Sequence, residues 1–331
     1  MLPILNTMDL MNLSLPPILW MWEGIIAYGT INGITADAGA YKTWLSLFLA
    51  QAISNGEPFL NRITNINKVI IFDKENSGVL LQSRVKCTGA SQSVFIYPKW
   101  AQPLSPMLFD KEGKVSELYL EYARRGYLMI FDSLTRFHWC EENSASSMKM
   151  VFDAFQQLIN AGGTVIFLHH TGKNLNDYRG SSEIKAGVDC LFTMKTVVTG
   201  DDKFINLKCI KHRFVDDNFD LLIQVNRTEH GITLEDVSSM LKEQDRKEEE
   251  RLIGLILSVL NEHFAMHGEY PNQSSIIEHL SGLISKDEVR AMLVKFCNVK
   301  WSENRRGKNE KFYAPIAGNN TQEQGGTEYE G

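Results

Sequence analysis

Residues 30–54 read TINGITADAGAYKTWLSLFLAQAIS, and this stretch decides the fold. The first six residues form a short, largely apolar run that is typical of a buried strand. Residues 36–43 are small or turn-forming for the most part and predict a tight turn. Apolar side chains then recur through residues 43–54 and predict a helix. A strand, a turn and a helix in this order form the repeating unit of a parallel α/β sheet.

The same alternation continues to about residue 214. Further strand-like runs lie at residues 68–73, 94–98, 127–132 and 164–169. Helical stretches lie at residues 78–87, 115–125 and 145–161. Because such continuous apolar runs suit strands that are covered on both faces, they predict an α/β fold with a mostly parallel sheet. Two later runs, 190–197 and 204–214, flank Gly200-Asp201 and predict a hairpin that extends this sheet.

The turn at residues 36–43 is an imperfect copy of the phosphate-binding pattern GxxxxGK[ST]. Ala36 and Tyr41 replace the two glycines, whereas Lys42 and Thr43 are intact. In such a loop, backbone N–H groups surround the phosphates, the lysine reaches the β and γ oxygens, and the hydroxyl contacts Mg²⁺. The alternative is a strand–helix turn that contains Lys-Thr by chance. The candidate nucleotide-binding residues are Ala36, Asp37, Ala38, Gly39, Ala40, Tyr41, Lys42, Thr43 and Trp44.

Two later strand-like runs end in carboxylates. Asp73-Lys74-Glu75 follows one apolar run, and Asp132 ends another. A carboxylate at this edge of the sheet can serve as the base for water attack, and a second one can hold Mg²⁺ together with Thr43. Either residue alone is also consistent with a solvated strand end. The order of turn, Glu75 and Asp132 along the chain favours an ATP site that uses Mg²⁺.

Three short runs resemble the RepA-type branch of the RecA/DnaB-like P-loop ATPases. They are Phe131-Asp132-Ser133-Leu134, Leu168-His169-His170-Thr171-Gly172-Lys173 and Tyr178-Arg179-Gly180-Ser181-Ser182. The resemblance covers roughly residues 20–215 and implies a RecA-like core that binds ATP and Mg²⁺. It makes Glu75 the catalytic carboxylate, Asp132 the Walker B residue and His170 a sensor of the γ-phosphate.

The resemblance also implies contacts beyond a single ATP site. Lys211 and Arg213 end the last strand-like run, and in hexameric relatives a Lys-x-Arg at this point reaches the neighbouring subunit's ATP. The alternative is an exposed basic strand end. Lys173 and Arg179 follow the sensor and correspond to a loop that contacts single-stranded DNA. These features imply an oligomer, with a hexamer favoured.

A second, smaller domain is predicted at residues 241–316, after an ATPase domain at 1–240. Its pattern of three helices and two strand-like runs is the outline of a winged helix. Residues 286–313 hold eight Lys or Arg against four acidic residues, and Arg305, Arg306 and Lys308 lie between the strand-like runs. Duplex DNA contact and protein docking both fit such a basic turn. Residues 317–331 have almost no apolar content and are expected to be disordered.

Composition limits the class of protein. The net charge of −6 argues against a surface coated with nucleic acid, so any DNA contact should be local. The five cysteines show no CxxC spacing, which favours reduced thiols in the cytoplasm and disfavours zinc. Pro16, Pro17 and Glu23 interrupt the apolar segment at residues 13–29, so it predicts a strap packed on the domain rather than a membrane span.

Three functions remain open from the sequence. The first is an oligomeric ATPase that moves on single-stranded DNA, as a helicase does. The second is a slow ATPase switch that regulates a mobile genetic element. The third is a scaffold with a degenerate P-loop. The intact Lys42, Thr43, Glu75, Asp132 and Arg213 argue against the third.

Overall fold

The computed structural model describes residues 6–142, 144–170, 182–215, 220–229, 231–306 and 310–316. The chain divides into two compact units, Met1–Ser238 and Ser239–Gly331. Among the residues with sequence-based predictions, Lys173, Arg179, Lys308 and the tail 317–331 lie outside the described residues. The side chain of Arg306 lies outside them as well.

The first unit is built on a nine-stranded sheet with the strand order β11-β10-β9-β8-β3-β7-β6-β4-β5. In this order, each pair of neighbours in the part β8-β3-β7-β6-β4-β5 is parallel. The part β11-β10-β9-β8 is antiparallel and extends the sheet. This confirms a mixed α/β fold with a large, mostly parallel sheet. The strands of this unit are β1 (Trp20–Trp22), β2 (Ile26–Ala27), β3 (Ile31–Ala36), β4 (Val69–Asp73), β5 (Val94–Pro98), β6 (Leu128–Asp132), β7 (Thr164–His170), β8 (Cys190–Thr199), β9 (Asp202–His212), β10 (Asp220–Thr228) and β11 (Gly231–Asp236).

Helices cover both faces of this sheet. Alternate residues of a strand point to opposite faces, so Ile71 and Ile130 pack in one core with Leu45 of α2, whereas Phe72 and Phe131 pack in the other with helices α4 and α5. The burial of β4 and β6 on both faces explains their unbroken apolar sequences. The helices are α1 (Thr7–Met11), α2 (Lys42–Asn55), α3 (Gly78–Thr88), α4 (Glu117–Arg124), α5 (Ala145–Asn160) and α6 (Ser182–Gly187).

The N-terminal apolar segment packs on the domain only in its second half. Met21, Trp22 and Ile26 lie in the core and belong to the β1–β2 hairpin. Leu15 and Leu19, in contrast, are exposed. The prediction of a strap is therefore correct for residues 20–27 and wrong for residues 13–19. Within the described part of the chain, no helix has the length and apolar character that crossing a membrane requires.

The second unit contains three helices followed by an antiparallel hairpin. They are α7 (Ser238–His267), α8 (Gln273–His279), α9 (Lys286–Lys295), β12 (Trp301–Arg306) and β13 (Glu310–Pro315). Trp301, Ile256 and Leu293 lie in its hydrophobic core. Ser285 and Glu288 form a capping box at the start of α9.

Candidate nucleotide-binding site

The carboxyl ends of β3, β7, β6 and β4 meet at one edge of the sheet. In the strand register Ala36 is paired with His170, and Asp73 is paired with Asp132. The turn after β3 therefore faces the acidic ends of two neighbouring strands. This is the edge at which open α/β sheets bind ligands.

The turn ends at Tyr41, which has a left-handed backbone with φ of 63° and precedes the first residue of α2. The pattern GxxxxGK[ST] has glycine at this position, and glycine adopts this conformation without steric cost. The partly buried side chain of Tyr41 packs against the core, and this contact offsets part of the steric cost. The structure thus keeps the backbone path of the turn although the glycine is replaced.

Lys42 points back into the turn. Its Nζ donates hydrogen bonds to the carbonyl oxygens of Ala36 and Asp37, each at 2.8 Å. The side chain is buried, and this desolvation lowers the pKa of Lys42, while the negative charges of Asp132, Glu75 and Asp37 oppose the shift. An ammonium in this position can hold phosphate oxygens above the turn.

Thr43 and Asp132 form a pair of oxygen ligands. The Thr43 hydroxyl donates to Oδ2 of Asp132 at 2.7 Å. Asp132 is 1% exposed, and burial raises its pKa to about 7, with the charges of Asp73 and Glu75 adding to the effect. Because burial makes the Asp132 carboxylate costly to ionise, a bound cation would strongly stabilise its charged form. A hydroxyl and a carboxylate are oxygen ligands of the kind that Mg²⁺ prefers, so these residues fit the metal.

Glu75 is held from two sides. Its Oε1 accepts a hydrogen bond from the Ser133 hydroxyl at 2.5 Å and lies 3.3 Å from Nε2 of His170. Burial alone would raise the pKa of Glu75, but these hydrogen bonds and the positive charge of Lys42 outweigh it and lower the pKa. The carboxylate is therefore ionised at neutral pH and able to accept a proton.

His170 connects Glu75 to Lys42. Its Nδ1 lies 3.4 Å from the Lys42 ammonium, on the other side of the ring from Glu75. An ammonium can only donate, so the neutral ring that accepts at Nδ1 and donates from Nε2 satisfies both neighbours. Lys42, Glu75, Asp132, Thr43 and His170 are thus brought together as the sequence predicted.

A model of the AAA domain family matches residues 2–176, which is more than half of the chain. The chain belongs to the AAA domain family. Together with the mostly parallel sheet, this match identifies it as a P-loop ATPase of the RecA/DnaB-like type. ATPases of this class use ATP and Mg²⁺ in general.

Sequence reasoning missed four residues of this AAA domain site. Ser133 contacts Glu75, and its position directly after Asp132 at the end of a strand was the available signal. Asp73 was read only as the strand end, yet its Oδ1 accepts hydrogen bonds from the backbone N–H groups of Glu75 and Asn76. Asn76 and Arg84 continue this network. The sequence gives no signal for Asn76 or Arg84, because a residue pattern that predicts where a helix begins does not show which side chains hydrogen-bond to each other.

Lys211 and Arg213 lie at the opposite edge of the nine-stranded sheet. The end of β9 is paired with Cys190, which in turn is paired with Asn32 near the start of β3. The five residues of β3 that follow Ile31 place this point about 15 Å from the turn. Arg213 lies 3.3 Å from Asp189 and is half exposed. Lys211 Nζ donates to the carbonyl oxygens of Lys185, Ala186 and Val188 within its own chain.

The remaining candidates lie elsewhere in the chain. Trp44, in the first turn of α2, has the Arg84 guanidinium 5.7 Å from its ring centroid. Arg305 is an exposed residue of β12 in the second unit. The family match ends before β8, so it covers neither Arg213 nor the second unit.

Proposed function

We propose that this ATPase is an oligomeric, ATP-dependent motor or helicase on single-stranded DNA, of the RepA type. The observation that carries the proposal is the position of His170. Its ring contacts both Lys42 and Glu75, and the chain continues from it directly into the segment with Lys173 and Arg179. One residue is thus in place to relate the ATP site to a candidate DNA-binding segment.

The proposed hydrolysis uses the groups at the carboxyl edge. The turn at residues 36–43 and Lys42 hold the phosphates. Thr43 and Asp132 would hold Mg²⁺, which supplies positive charge against the phosphate oxygens when bound. Glu75 orients the attacking water and accepts its proton, because its carboxylate is ionised and fixed by Ser133. His170 would exchange its contact to Glu75 or Lys42 for the γ-phosphate.

The location of Arg213 supports the proposed assembly. A residue about 15 Å along the strands from the turn does not complete the ATP site of its own chain. It is well placed to reach a neighbour in a head-to-tail ring, and such contacts close into rings when the rotation allows. We therefore propose a hexamer in which Arg213 neutralises charge on the neighbour's transferring phosphate. Lys211, which already binds three carbonyl oxygens, would support the strand end that carries Arg213.

The second unit is proposed to be a winged helix, spanning residues 241–316. Its helices and hairpin follow the expected order, and Trp301 of the hairpin lies in the helical core. Arg305 is exposed on the hairpin, and with Arg306 and Lys308 it would contact the phosphates of duplex DNA. Protein docking by the same hairpin is the competing interpretation.

The test is ATP hydrolysis with and without single-stranded DNA, alongside the mass of the protein in ATP. A motor should form a hexamer in ATP, and single-stranded DNA should stimulate its hydrolysis several-fold. It should also separate a short duplex that carries a single-stranded tail. A protein that stays monomeric in ATP and hydrolyses ATP at the same rate with and without DNA would contradict the proposal.

A slow ATPase switch is the second candidate, and Tyr41 is the observation in its favour. A bulky residue with φ of 63° at the rim of the turn restricts the backbone beside the phosphates. Slow turnover with stable, ATP-dependent DNA binding and no strand separation would identify the switch.

A further inference from the structure

Arg84 lies on α3 beside the ATP site, and none of the roles proposed above uses it. Its Nη1 donates to Oδ1 of Asn76 at 2.9 Å, and its guanidinium lies over the ring of Trp44. Burial lowers the pKa of Arg84, while the charges of Asp132 and Asp73 oppose the shift. The guanidinium therefore lies within electrostatic reach of two carboxylates at the strand ends.

Asn76 passes this contact on to the loop that carries Glu75. Its Nδ2 donates to Oδ2 of Asp73 at 2.8 Å. Oδ1 of Asp73 in turn accepts from the backbone N–H groups of Glu75 at 2.9 Å and of Asn76 at 2.8 Å. Asp73 and Asn76 are buried, so each of these hydrogen bonds forms away from bulk water. The backbone that fixes the start of the Glu75 side chain is thus held by a continuous chain of contacts from Arg84.

Packing alone does not explain an arginine at this position. Among the described residues, the buried Nε of Arg84 has no hydrogen-bond partner. A buried donor without an acceptor is unfavourable. Methionine could pack against Trp44 without that cost. What arginine adds is the hydrogen bond to Asn76 and a positive charge over the ring of Trp44, which directly follows Thr43 on α2.

We propose that Arg84 is a positioning residue for ATP hydrolysis. It connects α2, which carries Thr43 and Trp44, to the loop whose Glu75 acts on water. Through Asn76 and Asp73 it keeps the Glu75 carboxylate at the distance that proton transfer needs. This inference rests on the proposed role of Glu75.

Arg84→Met tests the inference through the steady-state kinetics of ATP hydrolysis. Displacing a catalytic group by about 1 Å can cost roughly 100-fold in rate. We expect kcat to fall by at least about tenfold, while KM for ATP stays within about twofold, because Lys42 and the turn are untouched. Arg84→Lys should recover part of kcat, since its ammonium can still donate to Asn76. Lys86→Met is the matched control, because it removes an exposed positive charge from the same helix and should leave kcat unchanged.

A double-mutant cycle with Asn76→Ala separates positioning from general destabilisation. If Arg84 acts through Asn76, the double variant should be no slower than the slower single variant. Additive losses in kcat, or an Arg84→Met enzyme with kcat within about twofold of wild type, would overturn the inference. If Arg84→Met does not fold, the same double-mutant cycle is measured with Arg84→Lys and Asn76→Ala. Loss of hydrolysis in Glu75→Gln with full activity in the Arg84 variants refutes this inference alone, whereas a wild-type protein without ATPase activity refutes the proposed function and the inference with it.

Discussion

At the scale of single residues, His170 lies between the residue proposed to hold phosphate and the residue proposed to act on water. Lys42 lies on one side of the ring and Glu75 on the other. We expect Lys42→Ala to lose ATP binding, because no other ammonium occupies the turn among the described residues.

We expect Glu75→Gln to bind ATP and to lower kcat by at least about 100-fold, since an amide cannot accept the proton. Fluorescent-nucleotide binding and single-turnover hydrolysis measure the two effects separately. Wild-type hydrolysis in Glu75→Gln would remove Glu75 from its role.

His138 gives a second prediction, about pH and stability. Burial, together with the neighbouring His169, lowers the pKa of His138 to about 4, while the backbone of Cys140 opposes the shift. Between pH 6.5 and 4 the unfolded chain therefore binds a proton at this position that the folded chain excludes. The stability that the neutral ring contributes is complete above pH 6.5 and is lost as the pH falls through this window.

His138→Leu should remove that dependence. From pH 7.5 to pH 5.5 the free energy of unfolding should fall by about 1 kcal/mol more in wild type than in His138→Leu. Urea unfolding at the two pH values measures the difference. Equal losses in the two proteins would show that folding does not lower the pKa of His138, which would contradict the prediction.

At the scale of elements, the end of β9 depends on Lys211. Its ammonium binds three carbonyl oxygens at the end of α6 and just beyond it. Lys211→Met should leave these acceptors without their donor and lower the free energy of unfolding by about 1–3 kcal/mol. Lys208→Met is the matched control, because Lys208 is exposed on the same strand. If both variants unfold at the same urea concentration as wild type, the contact does not stabilise the strand end.

The elements that the sequence predicted best are those whose local pattern and burial agree. The run 94–98 matches β5 in both bounds. The runs 68–73, 127–132 and 164–169 each differ by one residue at one end from β4, β6 and β7, and the run 30–35 is displaced by one residue from β3. The charged segment 240–250, whose composition predicts a helical linker, is the first part of α7. Arg246 pairs there with Glu243 and Glu250, and such pairs at helical spacing support a helix that has little apolar surface.

Within the nine-stranded sheet, β10 and β11 are the strands that the sequence analysis did not predict. Leu221, Ile223 and Val225 alternate with less buried residues, so a period of two was present in the sequence. The core residues of the ATP site followed from motif order, because parallel strands bring their carboxyl ends together. Arg84 and Asn76 could not be predicted, because their contact depends on how the loop after β4 lies against the side chains of α3.

At the scale of the whole molecule, the distance between Arg213 and the turn makes the assembly testable. Arg213 is half exposed and pairs with the less exposed Asp189 in its own chain. Asp189 also accepts a hydrogen bond from the Ile31 backbone N–H and keeps this partner when Arg213 is replaced. We expect Arg213→Ala to fold and bind ATP but to lose hydrolysis. Mixing it with Glu75→Gln should restore part of the activity, because some interfaces then combine an intact Glu75 with an intact Arg213. Mass measurement must show mixed oligomers; if these form without any recovery, the ATP site is not shared.

The final prediction separates two kinds of DNA contact. Lys173 and Arg179 follow His170 in the first unit, whereas Arg305 and Arg306 belong to the second unit. Nucleotide should therefore govern only the first pair. Lys173→Ala with Arg179→Ala should abolish ATP-dependent binding to single strands. Arg305→Ala with Arg306→Ala should weaken binding to duplex DNA whether or not nucleotide is present.

Salt dependence identifies which contacts are made to phosphates. Each phosphate contact that is lost should lower the slope of log affinity against log salt by about 0.7 on single strands and about 0.9 on duplex. Fluorescence anisotropy over a salt series, with and without a non-hydrolysable ATP analogue, measures both slopes. The matched control is Lys295→Ala, which removes a positive charge from the second unit where Glu249 already pairs with it. If the Arg305 and Arg306 variant binds duplex as wild type does at every salt concentration, the hairpin does not contact DNA, and protein docking becomes its function.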